Sequence, residues 1–164
     1  MLMAVTGIPE GRAREYIFST PLLHGLSYRL VNHDSPLLKR KLAGCYDYIE
    51  KSVEKSKCED VFNADDLIKK VINKQSDLWI SVDKDGNIKG CLIVGFGELP
   101  RGKIITAEAI SSESLGFLTA LPVFEKYYKE LGFKIFEMTG RRGWEKVMKP
   151  LGYDFKNITI RKSL

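Results

Sequence analysis

The sequence predicts a mixed α/β (α+β) fold, a mostly antiparallel central sheet flanked by helices. Three observations carry that reading. Short runs of β-branched and aromatic residues recur along the chain, bounded by Gly, Pro, Asn and Asp, as strands are. Amphipathic stretches with a 3.6-residue period stand between them, a pair near the N-terminus and single ones later. The strongest turn signal, Asp85-Gly86, separates two such runs as a tight hairpin, and hairpins join antiparallel strands. The order that results is β-α-α-β-β-β-α-β-α-β, in a single domain of residues 21–164 preceded by an arm of residues 1–20.

In the arm, Gly7, Pro9 and Gly11 break any regular element, and Tyr16, Ile17 and Phe18 form an apolar cluster at its end. Leu26-Ser27-Tyr28-Arg29-Leu30-Val31 alternates as a strand does. Asp34-Ser35-Pro36 is a helix-start signal, and Leu38, Leu42, Cys45, Tyr46, Ile49 and Val53 follow with helical spacing. A second helix starts at Asn63, with Asp66 as its capping-box partner and Leu67, Ile68, Val71 and Ile72 as its buried stripe. Strands are expected at Leu78–Val82, Ile88–Val94 and Lys103–Ile110.

Leu121, Phe124, Tyr127, Tyr128 and Leu131 mark a long helix closed by Gly132. Lys134–Met138 is a strand and Gly143 to Leu151 a short helix. Tyr153-Asp154-Phe155 and Ile158-Thr159-Ile160-Arg161 are expected to complete the sheet. Trp79, Leu92, Val94, Ile105, Phe124, Tyr128 and Ile135 are the expected core between sheet and helices.

A chain of 164 residues and 18.6 kDa can bury roughly 70% of its extended surface, enough for one full core. At 44% hydrophobic, 29% charged and 10% aromatic residues, it is not a disordered, collagen-like or coiled-coil chain. No apolar run approaches the ~18 residues of a membrane span. The opening Met1–Val5 is too short for a signal-peptide core, so a cytoplasmic protein is expected. Cys45, Cys58 and Cys91, with only His24 and His33, make neither a disulfide framework nor a zinc pattern, and no metal is expected.

The net charge of +5 is local. Residues 139–164 hold seven basic and two acidic side chains, so residues 1–138 sum to zero. Arg141, Arg142, Lys146 and Lys149 are the candidate anion or partner patch; a solvated helix face is the plainer account.

Two stretches carry a family likeness. One runs from Gly116 through Ala120, Leu121 and Phe124 to Glu130-Leu131-Gly132-Phe133-Lys134-Ile135; the other is Trp144-Glu145-Lys146-Val147-Met148-Lys149-Pro150-Leu151-Gly152-Tyr153. With the element order, they resemble the GNAT superfamily of acyl-CoA-dependent N-acyltransferases, especially small divergent members encoded by tailed bacteriophages. The resemblance implies that the junction before the long helix wraps the cofactor pyrophosphate in backbone N–H groups, normally with an Arg or Gln and small residues.

Aligned on Gly116, this chain offers Glu113-Ser114-Leu115-Gly116-Phe117-Leu118, with a carboxylate in place of a cation or amide and Leu118 in place of a small residue. A carboxylate within ~4 Å of a phosphate costs about 1 kcal/mol even in water. The tyrosine that the resemblance implies as thiolate-protonating acid corresponds to Met148, and the asparagine that usually precedes it to Arg141. Glu98 and Glu108 are the remaining acid–base candidates, each also read as an ordinary strand carboxylate.

The sequence therefore favours a GNAT-like fold with a degenerate acyl-CoA site built from Glu113, Gly116, Phe117 and Leu118, not an enzyme and holding no cofactor. On that reading it is a binding or structural module, a phage-particle component or host-directed factor with a protein partner met by the arm and the Arg141–Lys149 face. The alternative is an acetyl-CoA-dependent N-acetyltransferase. A second alternative is a nucleic-acid-associated protein using the basic C-terminal segment, with Trp144 and Tyr153 as interleaved aromatics.

Overall fold

The computed structural model describes residues 16–19 (backbone), 25–113, 116–139, 143–156 and 160–163. Six strands form one sheet in simple chain order: β1 (Tyr16–Ser19), β2 (Ser27–Leu30), β3 (Ser76–Val82), β4 (Ile88–Leu99), β5 (Gly102–Ser112) and β6 (Phe133–Met138). The first five pair antiparallel, and β5 pairs parallel with β6. Between β2 and β3 come α1 (Leu38–Ser56) and α2 (Ala64–Ile72); α3 (Gly116–Glu130) makes the β5–β6 crossover. After β6, α4 (Trp144–Met148) runs into a 3₁₀ turn at Lys149–Leu151.

The helices cover the two faces separately. On one face, Leu42, Cys45, Ile49 and Val53 of α1 and Leu67 and Val71 of α2 pack on Leu78, Ile80, Cys91 and Ile93. On the other, Phe117, Leu121, Phe124 and Tyr128 of α3 and Met148 of α4 pack on Tyr28, Trp79, Leu92, Val94 and Ile105. β3 is buried along its whole length, as a central strand covered on both faces must be. Trp79 Nε1 donates to the Tyr128 hydroxyl at 2.8 Å, which donates to Asp77 Oδ2 at 2.7 Å, so these three side chains are tied together in the core.

Local signals act where they were expected. Asn63 caps α2 through a reciprocal bond with Asp66, each side chain accepting from the other's backbone N–H at 2.9 and 3.0 Å. Gly86 (φ +83°) turns the β3–β4 hairpin, and Gly132 (φ +91°) follows α3 in the left-handed conformation that ends helices.

Four expectations are corrected. The segment expected to hold no element contains β1, because Tyr16, Ile17 and Phe18 lie beyond the Gly and Pro breakers and are strand formers. The first paired helix starts later than Asp34-Ser35-Pro36 suggests: Ser35 caps a preceding turn, accepting from Leu37 N–H at 3.2 Å, and Leu37 is the N-cap.

Ile135 is 42% exposed and not core. Lys103 pairs with Phe133 but Ile104 with Ile135, so Lys134 is an extra bulged residue and every later side chain of β6 changes face. Finally, Tyr153-Asp154-Phe155 is not a strand: the Tyr153 ring docks on Phe136 and its hydroxyl donates to Glu125 Oε1 at 2.6 Å, which draws the chain over α3 instead of beside β6. Of Ile158–Arg161, residues 158–159 lie outside the described residues, while Ile160 is exposed and Arg161 pairs with Asp60 at 2.7 Å.

Candidate functional site

The site is built by the different lengths of two neighbouring strands. Parallel pairing of β5 with β6 ends at Ala107–Met138, whereas β5 runs on through Glu108 to Ser112 before the chain turns into α3. Within that overrun the backbone N–H of Ile110 donates to Ser52 Oγ of α1 at 3.0 Å, so it is not spent on the β4 ladder. The flank of β5 that β6 does not cover therefore leads to the N-terminus of a fifteen-residue helix, an end whose dipole favours an anion.

The four junction residues separate. Gly116 and Phe117 are buried, and Phe117 packs edge-on against Tyr28 at 5.1 Å. Leu118 is half-buried against the α3-side cluster, so its bulk goes into the core. Glu113 is exposed and turned toward α1: its Oε1 accepts from the Tyr48 hydroxyl at 2.9 Å, and Lys89 Nζ lies 3.4 Å from Oε2. The Tyr48 hydrogen bond first, then the Lys89 charge, holds its carboxyl below the usual range. Burial first, then the bond to Glu113, pushes Tyr48 up to about 12. The carboxylate that the sequence sets against a diphosphate is thus satisfied on the opposite side, by two residues far away in the chain.

The chain matches no protein-family model and no curated protein by sequence. It is similar in structure to an aminoglycoside acetyltransferase from an uncultured soil metagenomic sample, solved with trehalose (TM-score 0.63, 11% identity, covering 86% of this chain and 97% of that one). A predicted acetyltransferase with acetyl-CoA from Clostridium acetobutylicum follows (0.61, 12%, 84% and 96%). A GNAT family acetyltransferase from Staphylococcus aureus matches at 0.54 and 17%, covering 85% and 99%. This is the GNAT acetyltransferase fold.

In that fold the other candidate residues take definite places. Met148 is buried in the α3-side core, a packing group at the position of the implied acid. Glu98 pairs with Lys103 at the far end of the β4–β5 hairpin, ~30 Å along β5 from the junction, and is exposed. Glu108 is the extra residue of a bulge opposite Ile93 and Val94. Its carboxylate is largely buried and accepts from both Lys70 Nζ and Ser76 Oγ, reaching back over Gly95. The two candidate strand carboxylates are therefore not brought together, and neither joins the junction.

Lys146 and Lys149 are exposed on α4 and the turn after it; Arg141 and Arg142 lie outside the described residues. Cys45, Cys58 and Cys91 are all buried. Among the described residues, no group of three or more His, Cys, Asp or Glu could hold a metal ion, and no helix is long and apolar enough to cross a membrane. Sequence reasoning missed Ser52 and Tyr48, which have no motif and act only through contacts across the fold.

Proposed function

We propose that this chain binds an acyl-CoA thioester along the flank of β5 that β6 does not cover and transfers the acyl group to an amine. The observation that carries the proposal is the five-residue overrun of β5 past β6, ending at the N-terminus of α3, with Glu113 turned away from it. The residues fit the group: the dipole of the α3 N-terminus suits a diphosphate, and Leu118 packs inward. When bound, the thioester supplies an activated acyl group on a thiol that ionises near about 8.5. Its release therefore needs no strong acid, and Met148 does not preclude the transfer. A structural neighbour, a predicted acetyltransferase solved with acetyl-CoA, supports the choice of cofactor class.

A second reading, an acyl-CoA-binding module without transfer, draws support from Met148 and from Glu108, whose largely buried carboxylate is tied to Lys70 and Ser76. Thermal unfolding with acetyl-CoA, followed by assay of free thiol release with a panel of amines, separates the two. Binding at 100 times the dissociation constant raises stability by about 2.7 kcal/mol. Stabilisation with amine-dependent thiol release supports the enzyme; stabilisation without it, for every amine, supports the module. No stabilisation at all removes both.

A further inference from the structure

Because Tyr153–Phe155 does not extend the sheet, β6 is left as its outer strand: among the described residues nothing pairs with its second edge. Alongside it, between β6 and the C-terminal half of α3, runs a groove of about 560 Å³ floored by Ile105, Tyr128, Phe133 and Phe136. Lys129 and Lys134 stand on its rim, both exposed, and neither has an acidic partner among the described residues. Glu125, the acid in the groove wall, is already engaged by the Tyr153 hydroxyl. On the opposite face of the same strand, Ile135 is exposed.

We propose that this edge is a docking site for an extended, apolar segment of a partner protein that carries acidic residues at one end and adds to β6 as a seventh strand. An edge strand supplies unpaired backbone N–H and C=O groups, the main source of affinity in strand addition. Side chains of an added strand alternate between faces, so one set fills the groove and the other covers Ile135. A small apolar anion would fill the groove alone and leave both Ile135 and the backbone edge bare. The lysine pair sets the polarity of the partner, since two unpartnered cations beside an apolar floor favour carboxylates.

Among the described C-terminal residues, Tyr153 closes onto Glu125, and Arg161 is held by Asp60 and the Lys57 carbonyl near the end of α1. The site is separate from the acyl-CoA flank, because β6 meets β5 here at residues 103–105, ~16 Å along the strand from Ile110. It does not rest on the proposed enzymatic activity.

The test is fluorescence polarisation with a labelled peptide of two glutamates followed by alternating valine and threonine. Its controls are the same peptide with two lysines for the glutamates, and the acidic peptide with alternate backbone nitrogens methylated. The acidic peptide should bind, the lysine version about tenfold or more weaker, and the methylated one not measurably. The Lys129→Glu/Lys134→Glu variant should lose about tenfold for the acidic peptide and keep its melting temperature.

The methylated ligand tests the backbone edge on unaltered protein, so a misfolded variant does not decide the matter. Equal binding of acidic and basic peptides, full binding of the methylated peptide, or no binding of the acidic one overturns the proposal. Displacement of the peptide by decanoate alone would identify a lipid-like ligand instead. Dimerisation through β6, seen in sedimentation and abolished by Lys134→Glu, would identify a second copy as the occupant, and either result also overturns it.

Discussion

Tyr48 and Glu113 lie 65 positions apart in sequence and 2.9 Å apart in the fold, the hydroxyl on α1 donating to the carboxylate just past β5. That bond fixes the exit of β5 and decides which way the one acid of the junction points. Its consequence is a test of direction. Tyr48→Phe should move the Glu113 carboxyl upward toward the ordinary value, while Lys89 keeps part of the depression. Because the folded-state value is lowered, the stabilisation exists above the ordinary carboxyl range and is lost as pH falls through the folded-state value. Carbon-detected NMR titration of Glu113 reads it. An unmoved midpoint would mean that Lys89 alone sets the charge. Glu113→Gln should change acetyl-CoA affinity by no more than about twofold, 0.4 kcal/mol on the same scale as a tenfold 1.4.

The α3 face of the core makes a second prediction. Phe124 is fully buried, 4.8 Å from the Trp79 ring and 5.9 and 6.0 Å from those of Phe117 and Tyr28. Phe124→Ala removes the ring that the other three surround and leaves a cavity, at about 3–5 kcal/mol. Chemical denaturation should show that loss in the midpoint. An unchanged midpoint would place α3 off the sheet.

The features legible in the sequence were those whose cause is local. Asn63 and Asp66 satisfy each other across one helical turn, Asp85-Gly86 needs only its own backbone, and Gly132 ends a helix by its φ. Ile135 was not legible as exposed, because one bulged residue, Lys134, reverses the strand's faces without any composition signal. The strand expected at Tyr153–Phe155 has the right residues, but a ring contact with Phe136 and a hydrogen bond to Glu125 outweigh propensity there. In the site, the residue types at 113–118 were readable and their orientations were not, since Tyr48 and Lys89 decide Glu113 from other elements.

Tyr128 carries a third prediction. Its hydroxyl accepts from Trp79 and donates to Asp77 within a fully buried layer. Tyr128→Phe keeps the ring and its packing but deletes both bonds, which should cost about 2–4 kcal/mol. For a domain of this length the melting temperature should fall by roughly 5–15 °C. A drop of under about 1 °C would show that another group, or a water molecule, takes the place of the hydroxyl.

The last prediction concerns Glu108, which sits where a strand carboxylate could serve as a base yet is held by Lys70 and Ser76 above Gly95. A base must be reachable by the amine, and this carboxylate is largely buried and already neutralised by the Lys70 ammonium. The geometry instead makes Glu108 a tie between α2, β3 and β5. A Cβ at position 95 would stand 2.5 Å from Glu108 Oε1, so Gly95→Ala must push the carboxylate off its partners. Glu108→Gln weakens the same contacts without adding bulk. Both changes should therefore lower stability, by about 1–3 kcal/mol as a lost charge-assisted bond does. If acyl transfer is present, the turnover of Glu108→Gln measured well below its melting temperature should stay within about threefold of the parent, under 1 kcal/mol of barrier. A fall in turnover of about a hundredfold with unchanged stability would return Glu108 to the role of base and sink the structural account of it.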